Sequence, residues 1–580
     1  MERLIMSTKY IFLGLIWTCS FVSAQVSIDR ATVNMDQFTI RESPKLITND
    51  KVLLTGEKLL YKIFSMSDPV RKKVVSAIGY VSLRNESDSI VFQHRLKLKD
   101  GKSVGAYFIP GTLKTGKYHL IAYTNFSLNN TKAPYAKSPI YLINPFKKTP
   151  LIMDKEEKGI TEVKTSIERD TISVKRKYDE VAGLETDKKV YKPREKVKLI
   201  FKNMNKVNKS SVLSVRKVAP INVYSEEEIN EPFNNEQTNF FVPEIRGEII
   251  SGYIQTSRPD KSIKDKVISL TISGDNTIFK LAKTNSKGHF FFVVPEDYTK
   301  ANSIFQVHEE DRDDYSLEVN TVVFRQKKED KKTPVILDAT IKNWLEKRSI
   351  QLQIENAYYD TKKTIAEKKK ETTPFFELQG KNYVLSEYNH FPTMKEVFVE
   401  IIENVGIRKR KEGEKFVMIT TGTDKDRSLF SKMDPLILID GVLIQNAKEL
   451  VDYDPKKVES IRIVNESYRY GPKIYSGIIA VSTKKGDFKP ILNGEYIKEV
   501  ELQGITPYKK IYTPDYTDKK LDRIPDYRVQ LFWDPEFILD SESKTVNFYT
   551  SDVPGKYEIK LSGYTNDGVY INSTNYFIVE

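Results

Sequence analysis

The sequence predicts a mainly β fold, in which β-sandwiches follow one another and one small α/β domain is added. Short runs rich in Ile, Val, Tyr and Phe recur along the chain, separated by Gly, Pro, Asn and Asp, as sandwich strands are. The chain holds 32 Tyr and 29 Phe but only 3 Trp, so strand-forming aromatics dominate. Residues 434–488 differ, because their short apolar runs flank a predicted helix, which is typical of a mixed α/β sheet.

Length and charge narrow the class of protein. A chain of 580 residues is long enough for roughly four domains, and 39% apolar with 29% charged residues is a globular composition. The formal net charge is +13, but Lys and Arg alternate with Asp and Glu, which predicts a solvated basic surface. No basic face with interleaved aromatics indicates nucleic-acid binding. The positive field could also favour anionic lipopolysaccharide or an acidic partner.

Residues 1–24 have the pattern of a secretory signal peptide. Arg3 and Lys9 accompany an apolar run at 10–17, and small residues end at Ala24, after which cleavage is expected. A membrane anchor would need a longer apolar run, and a lipidated Cys19 would need a small residue before it. We therefore expect an exported protein with a periplasmic or outer-membrane-associated location.

The sequence also predicts that the exported chain lacks disulfides and membrane-spanning helices. Cys19 is the only cysteine, so the exported chain can form neither a disulfide nor a thiolate metal site. No later apolar run reaches about 18 residues, so no integral membrane span is predicted.

Residues 50–145 are predicted to form one β-sandwich after an extended lead at 25–50. Strand-like runs recur at sandwich spacing, at 59–66, 77–83, 90–98, 103–109, 117–126 and 139–143. TGEKLLYKIF at 55–64, DGKSVGAYFIP at 100–110 and GKYHLIAYTNF at 116–126 resemble the MG2 domain of α2-macroglobulins. The alternative is a generic immunoglobulin-like sandwich, which would leave the fold class unchanged.

Further β units are expected after residue 183. TDKKVYKPREKVKLIFKN at 186–203 resembles the opening of another macroglobulin domain, so residues 183–242 are predicted to be a partial macroglobulin-like unit. PEIRGEIISGYI at 243–254 and LAKTNSKGHFFFVVP at 281–295 resemble a carboxypeptidase-regulatory-like domain, which we place at 243–325 and which is an accessory domain. A helical connector is predicted at 335–375, and a separate C-terminal β-sandwich at 496–580.

Residues 383–488 are predicted to form the α/β domain. A helix is expected at 391–405, capped by Thr393 with Glu396 three residues on. Three strands are expected, at 436–439, 458–464 and 477–482, with a tight turn at Asp440-Gly441 and a short helix at 447–452.

Four pieces of this domain resemble the plug domain of TonB-dependent outer-membrane receptors. They are LIDG at 438–441, VESIRIV at 458–464, YG at 470–471 and SGIIAVSTKKG at 476–486. A receptor barrel of its own would need about 220 residues in membrane-spanning strands. The sequence has fewer residues than this after Gly486. We therefore expect a plug-like domain that does not transport by itself.

None of the motifs that mark common catalytic sites is present. No two of the five histidines lie at metal-ligand spacing, and no serine elbow or phosphate loop occurs. The acidic stretch that begins at His308 is interpreted as solvated surface. Asp311, Asp313 and Asp314 approach a calcium pattern, but no Gly and no distal Glu completes it. Without a cysteine after position 19, macroglobulin thioester chemistry is excluded. We predict no catalytic residue, no cofactor and no metal, and hence no enzyme.

The combined resemblances imply an exported multidomain protein of the kind found in Bacteroidota. We expect a non-catalytic scaffold that docks through its plug-like domain to an outer-membrane or envelope protein. The residues predicted to carry this docking are Asp440, Gly441, Tyr470, Gly471, Tyr475 and Gly477. Three alternatives stay open: a macroglobulin-like binder of proteases or glycans, an accessory to a barrel supplied by another chain, and a hydrolase whose site shows no motif.

Overall fold

The computed structural model describes residues 41–67, 74–130, 133–147, 183–202, 211–221, 241–274, 277–295, 297–298, 301–320, 341–362, 375–376, 379–410, 413–418, 433–508, 510–538, 543–565 and 568–580. The predicted signal peptide lies outside them, as do residues 335–340 and 363–374 of the predicted helical connector. Within the described residues the fold is mainly β, which confirms the predicted fold class. No helix there is long and apolar enough to cross a bilayer.

The strands of the first half are β1 (Glu42–Thr48), β2 (Val52–Leu54), β3 (Lys58–Ser67), β4 (Ile78–Asn85), β5 (Ile90–Lys97), β6 (Lys102–Phe108), β7 (Gly116–Tyr123), β8 (Ala136–Ile143), β9 (Gly183–Thr186), β10 (Val190–Tyr191), β11 (Lys196–Lys202), β12 (Ser211–Lys217), β13 (Glu248–Gln255), β14 (Val267–Ile272), β15 (Ile278–Lys283), β16 (His289–Val294), β17 (Ala301–Val307) and β18 (Ser316–Val319). They are followed by the helix α1 (Lys342–Ala357).

The elements of the second half are β19 (Lys381–Val384), the helix α2 (Met394–Glu400), β20 (Val405–Arg410), β21 (Gly413–Met418), β22 (Leu436–Ile439), β23 (Val442–Leu443), the helix α3 (Ala447–Val451), β24 (Val458–Val464), β25 (Tyr468–Tyr470), β26 (Lys473–Tyr475), β27 (Ile478–Thr483), β28 (Ile497–Leu502), β29 (Gln530–Phe537), β30 (Lys544–Tyr549), β31 (Gly555–Tyr564) and β32 (Tyr570–Val579).

The first sandwich packs the sheet β1-β3-β6 on the sheet β2-β8-β7-β4-β5. Leu59, Ile63 and Leu120 are among the fully buried residues between the sheets. β1 pairs along its whole length with β3, so residues 42–48 belong to the sandwich and not to an extended lead. This prediction was wrong because polar residues in ESPKLIT mask a strand that buries alternate side chains.

The second unit, here called the split sandwich, is assembled from two distant parts of the chain. Its sheets are β10-β32-β31-β12-β29 and β30-β11-β9, so β12 pairs with both β29 and β31. The segments 183–242 and 496–580 were predicted as two domains, and this division is wrong. Each part alone would leave the apolar face of its strands without a partner layer, whereas together they enclose one core around Leu199, Val215 and Leu561.

The third unit, here called the inserted β unit, packs β16-β13-β18 on β15-β14-β17-β28. Phe290 and Phe292 point into its core, and Phe291 lies on the other face, as their alternation predicts. β28 follows the α/β domain in sequence but pairs with β17. Residues 497–502 therefore complete this unit and do not begin a C-terminal sandwich.

The fourth unit, here called the α/β unit, has the sheet order β19-β24-β27-β22-β23, with β22 and β27 parallel. The predicted strands at 436–439 and 458–464 match β22 and β24. The Thr393 hydroxyl accepts a hydrogen bond from the Glu396 amide at 3.3 Å, so the predicted cap is confirmed. The helix, predicted to reach Val405, ends at Glu400, because Asn404 at φ 64° turns the chain and Val405 opens β20.

Three of the four units are nested in the chain, after the first sandwich. The α/β unit lies between β18 and β28 of the inserted β unit, and both lie between β12 and β29 of the split sandwich. Each nested unit is therefore joined to the unit around it by two crossings of the chain, which restricts their relative movement more than a single linker would.

A buried ion-pair cluster, here called the Glu57 triad, joins the first sandwich, the split sandwich and α1. The Glu57 carboxylate accepts hydrogen bonds from Arg216 and from Arg348, each at 2.8 Å. Glu57 and Arg348 are buried, with side-chain exposures of 5% and 7%. Burial alone would raise the pKa of Glu57, but the charges of Arg216 and Arg348 hold it below its usual value.

A second polar joint links the first sandwich to the inserted β unit. Arg95 of β5 forms a buried salt bridge with Glu248 of β13 and donates to the Tyr298 hydroxyl at 2.6 Å. Beside it the Tyr80 hydroxyl donates to both carboxylate oxygens of Glu244, at 3.0 and 3.1 Å. Burial raises the pKa of Glu244 to about 7 in spite of these hydrogen bonds.

Stability is expected to depend on the protonation of Glu244. Its pKa is higher in the folded chain than the 4.5 of an ordinary glutamate, so between pH 4.5 and about 7 the folded state binds the proton better. This contribution, on the order of 3 kcal/mol, is present at low pH and is lost as the pH rises through that window. Glu244→Gln should remove it, and urea unfolding midpoints from pH 5 to pH 8 should fall less steeply in the variant. An unchanged slope would contradict the assignment.

Candidate interaction site

The residues predicted to dock a partner lie where the α/β unit meets the inserted β unit, a contact here called the α/β joint. Asp440 and Gly441 have φ angles of 47° and 77° and form the tight turn between β22 and β23. This confirms the predicted turn, since positive φ at both central positions is the requirement of a short hairpin that Asp-Gly satisfies.

The Asp440 side chain is used inside the α/β unit. Its carboxylate accepts hydrogen bonds from the Thr483 amide at 2.8 Å, the Thr483 hydroxyl at 2.6 Å and the Phe488 amide at 3.0 Å. The turn is thereby fixed to the end of β27. These contacts occupy the carboxylate within the chain.

Gly441 contacts the inserted β unit directly. Its carbonyl accepts a hydrogen bond from the Thr271 hydroxyl at 2.9 Å. A β-carbon at this position would lie 2.2 Å from the Thr277 methyl carbon. Glycine is therefore required both by its φ and by the closeness of the two units.

Gly441→Ala is expected to loosen the α/β joint by about 1–3 kcal/mol, from the strained φ and the clash with Thr277. Hydrogen exchange of the amides in β22 and β14 measures the effect. Thr277→Ala removes the clashing methyl group, so the double variant should recover part of the protection. If the double variant exchanges like Gly441→Ala, steric contact across the joint is not the cause.

Tyr470 and Gly471 lie at the other end of the α/β joint. The Tyr470 ring lies parallel to Phe279 of β15, with centroids 5.6 Å apart, and to Phe375, with centroids 4.1 Å apart. Its hydroxyl donates to the Phe279 carbonyl at 2.5 Å. Gly471 is exposed, and a β-carbon there would lie 3.4 Å from the Leu281 side chain.

Tyr475 and His308 form the polar centre of the α/β joint. The Tyr475 hydroxyl lies 3.0 Å from His308 Nε2, and His308 Nδ1 lies 3.2 Å from the Gln445 side-chain oxygen. Burial lowers the pKa of His308 to about 3, with a further contribution from the charge of Lys473. His308 therefore stays neutral and does not lie on solvated surface, which corrects the interpretation of this acidic stretch.

Two glutamine side chains, one from each unit, donate to backbone carbonyls across the α/β joint. Gln306 donates from its side-chain amide to the Leu443 carbonyl at 2.9 Å, and Gln445 donates to the Val307 carbonyl at 3.0 Å. Gly477 lies just inside the α/β unit, where a β-carbon would meet the Val464 carbonyl oxygen at 2.4 Å. Five of the six predicted residues are thus buried or half-buried against the chain itself, and Gly471 is exposed.

The carboxylates near a calcium pattern also have partners within the chain. Asp311 accepts from Lys261 at 3.0 Å and from Lys266 at 3.2 Å, and Asp314 accepts from Arg258 at 2.9 Å. Among the described residues no group of acidic or histidine side chains is arranged to hold a metal ion. The arrangement is a salt-bridged edge of the inserted β unit.

The residues of the α/β joint that sequence analysis missed belong to the inserted β unit. These residues lie far along the chain from their partners, since 191 positions separate Phe279 from Tyr470 and 137 separate Gln306 from Leu443. Local patterns carry no signal for such pairs. The Asp-Gly turn was recognisable because its geometry depends on two adjacent residues.

Comparison with solved structures finds bacterial α2-macroglobulins. The Escherichia coli protein activated by porcine elastase is 9% identical, with 93% of this chain and 44% of that chain covered and a TM-score of 0.21. The Salmonella protein reacted with methylamine is 8% identical, with 93% and 39% covered and a TM-score of 0.22. Dimeric latent PorU from Porphyromonas gingivalis is 10% identical, with 52% and 34% covered and a TM-score of 0.16.

The chain spans less than half the length of these macroglobulins. No protein-family model matches the sequence, and no curated protein matches it. At such identities and TM-scores, the structural similarities identify neither a family nor a function.

Proposed function

We propose that this chain is a non-catalytic, exported scaffold that binds an outer-membrane or envelope protein. The observation that carries the proposal is the α/β joint, where a recognition-type unit is attached to a β unit by specific hydrogen bonds and aromatic contacts. The Glu57 triad and the Arg95–Glu248 pair brace the other units in the same way. Such an assembly presents fixed surfaces to a partner.

The contacts in the α/β joint require a different binding surface for the partner from the one that the sequence suggested. The sequence-based proposal placed the partner on the Asp440 turn and on the segment from Tyr470 to Gly477. The inserted β unit contacts Gly441, Tyr470 and Tyr475. Asp440 and Gly477 are engaged within the α/β unit itself. We therefore infer that the α/β unit offers the partner its remaining surface, while the turn positions that surface. The plug-like resemblance then concerns the fold of this unit.

Co-purification tests the proposal. A tagged chain would be expressed in the organism that encodes it, cross-linked in intact cells and purified from solubilised envelopes, and the captured proteins identified by mass spectrometry. An unrelated exported protein with the same tag is the control. Recovery of a defined envelope protein with the chain alone supports the proposal. Recovery of an uncomplexed monomer from the soluble fraction would overturn it.

The same experiment separates the alternatives. A β-barrel partner would favour the accessory role in transport. In that case the sheet of the α/β unit could enter the barrel only after the α/β joint opened, because residues such as Leu436 and Ile478 are buried there. Captured proteases or glycans would favour the macroglobulin-like binder. Peptidase and glycosidase screens of the purified chain test the remaining alternative, a hydrolase.

A further inference from the structure

A cavity of about 170 Å³ lies where the first sandwich, the split sandwich and α1 meet. Its wall includes the two arginines of the Glu57 triad, Arg216 and Arg348, and also Lys217 of β12 and Lys347 of α1. The cavity is far larger than the space that a single water molecule needs. It is formed by units other than the α/β unit, so it is separate from the α/β joint.

The positive charge around this cavity exceeds the negative charge. Glu57 is shared by both arginines, and Arg216 also binds Asp50 at 2.6 Å. These two carboxylates balance the two arginines. Lys217, which is half-buried, and Lys347, which is exposed, also line the cavity and form no salt bridge within the part of the chain that the structure describes, so their charges are not balanced by a carboxylate there.

Lys217 is held in a poorly solvated position. Burial lowers its pKa to about 8, with smaller contributions from the charges of Arg348 and Lys347. Gly555 leaves room for its side chain, because a β-carbon there would lie 2.9 Å from Lys217 Cε. A bound anion would relieve the repulsion among these cations and replace the lost hydration.

The rest of the wall is apolar. Val52 and Leu54 of the first sandwich, Val529 beside β29 and the Trp344 ring of α1 line it. A small inorganic ion would leave this apolar surface without contact. A ligand with both a carboxylate and an apolar side chain would contact the lysines and the apolar wall together.

We propose that this cavity binds a peptide carboxylate, with Lys217 and Lys347 on the carboxylate and Trp344 against an adjoining apolar side chain. The carboxylate can be the C-terminus of the peptide or a glutamate side chain, since both have the same chemistry. The cavity holds this carboxylate and the adjoining side chain, and the remainder of the peptide lies outside.

The two tryptophans described in the structure provide the readout. Trp344 lines the cavity, whereas Trp533 is buried between the first and the split sandwich. The full chain would be labelled with 5-fluorotryptophan, and Trp344→Phe would assign the ¹⁹F resonances. The probes are acetyl-Ala-Ala-Leu with a free carboxylate, acetyl-Leu-Glu-amide, the neutral acetyl-Ala-Ala-Leu-amide and inorganic phosphate.

At least one acid peptide is expected to shift the Trp344 resonance saturably, and the tighter of the two identifies the source of the carboxylate. The neutral amide is expected to leave the resonance in place. Lys217→Met should weaken binding about tenfold or more, because a charge-assisted contact is lost, while Lys217→Arg should retain it. Lys264→Met, at an exposed lysine of the inserted β unit, is the matched control and should bind like the parent chain.

Three results would overturn the inference. The first is the absence of a saturable shift with either acid peptide at concentrations up to about 10 mM, because a dissociation constant above that value would not indicate specific binding. The second is equal binding of the acid and the amide. The third is phosphate binding as tight as that of both peptides, which would indicate a general anion site. Because the experiment uses the purified chain, its outcome does not depend on whether an envelope protein co-purifies.

Discussion

Glu57→Gln is expected to lower the free energy of unfolding by about 3–5 kcal/mol. Glu57 neutralises Arg216 and Arg348 at the junction of two sandwiches and α1, and all three side chains are largely buried. A glutamine keeps the size but leaves Asp50 as the one carboxylate bound to the two arginines, so one buried positive charge is unbalanced. Urea unfolding followed by tryptophan fluorescence measures the loss, because Trp344 belongs to α1 and lies near the triad.

The pH dependence gives a second test of the same group. The folded pKa of Glu57 lies below its ordinary 4.5, so its contribution is present above that pH and is lost as the pH falls through the folded value. The difference in free energy of unfolding between the parent chain and Glu57→Gln should therefore become smaller at acidic pH. Glu185→Gln is the control, because the Glu185–Lys202 pair is more than half exposed on both sides and should matter little. Similar losses in both variants would contradict a special role for the triad.

Phe279→Ala is expected to weaken the α/β joint by about 3 kcal/mol. Phe279 is 6% exposed and packs on Tyr470 and Phe375, so truncation leaves a cavity between the two units. Hydrogen exchange should accelerate in β15, β22 and β27. Amides in the first sandwich should keep their rates, which distinguishes local opening from global unfolding.

Two further variants define the origin of this effect. Tyr470→Phe removes the hydrogen bond to the Phe279 carbonyl but keeps the ring, so a loss of about 1 kcal/mol is expected. Phe146→Ala, at a side chain that is 60% exposed, should leave exchange unchanged. If Phe279→Ala leaves the exchange of the α/β unit unchanged, the two units are not held by this aromatic cluster.

Local features of the fold could be predicted from the sequence. Strand spans such as Leu436–Ile439 follow from apolar runs bounded by turn residues. The turn at Asp440-Gly441 follows from the Asp-Gly pair, because both residue types accept the positive φ angles that a tight turn requires. The cap at Thr393 follows from a hydroxyl placed before a helix. Each of these depends on residues within a few positions of one another.

The pairing of distant segments could not be predicted in the same way. Gln530 and Ser214 lie 316 positions apart and are joined by a hydrogen bond inside one sheet. The apolar pattern of β12 specifies a buried strand but does not specify which strand covers it. For the same reason Tyr475 was recognised as a candidate contact residue, whereas its partner His308 was not.

The nested order of the units has a consequence for synthesis on the ribosome. β12 leaves the ribosome long before β29 and β31, so both of its edges lack partners for roughly 15–60 s at ordinary elongation rates. An unpaired strand is prone to join a foreign one. The inserted β unit waits in the same way for β28, whereas the α/β unit contains all its own strands. Maturation of these three units therefore proceeds from the innermost outward, and chaperone demand should be greatest before residue 530 emerges.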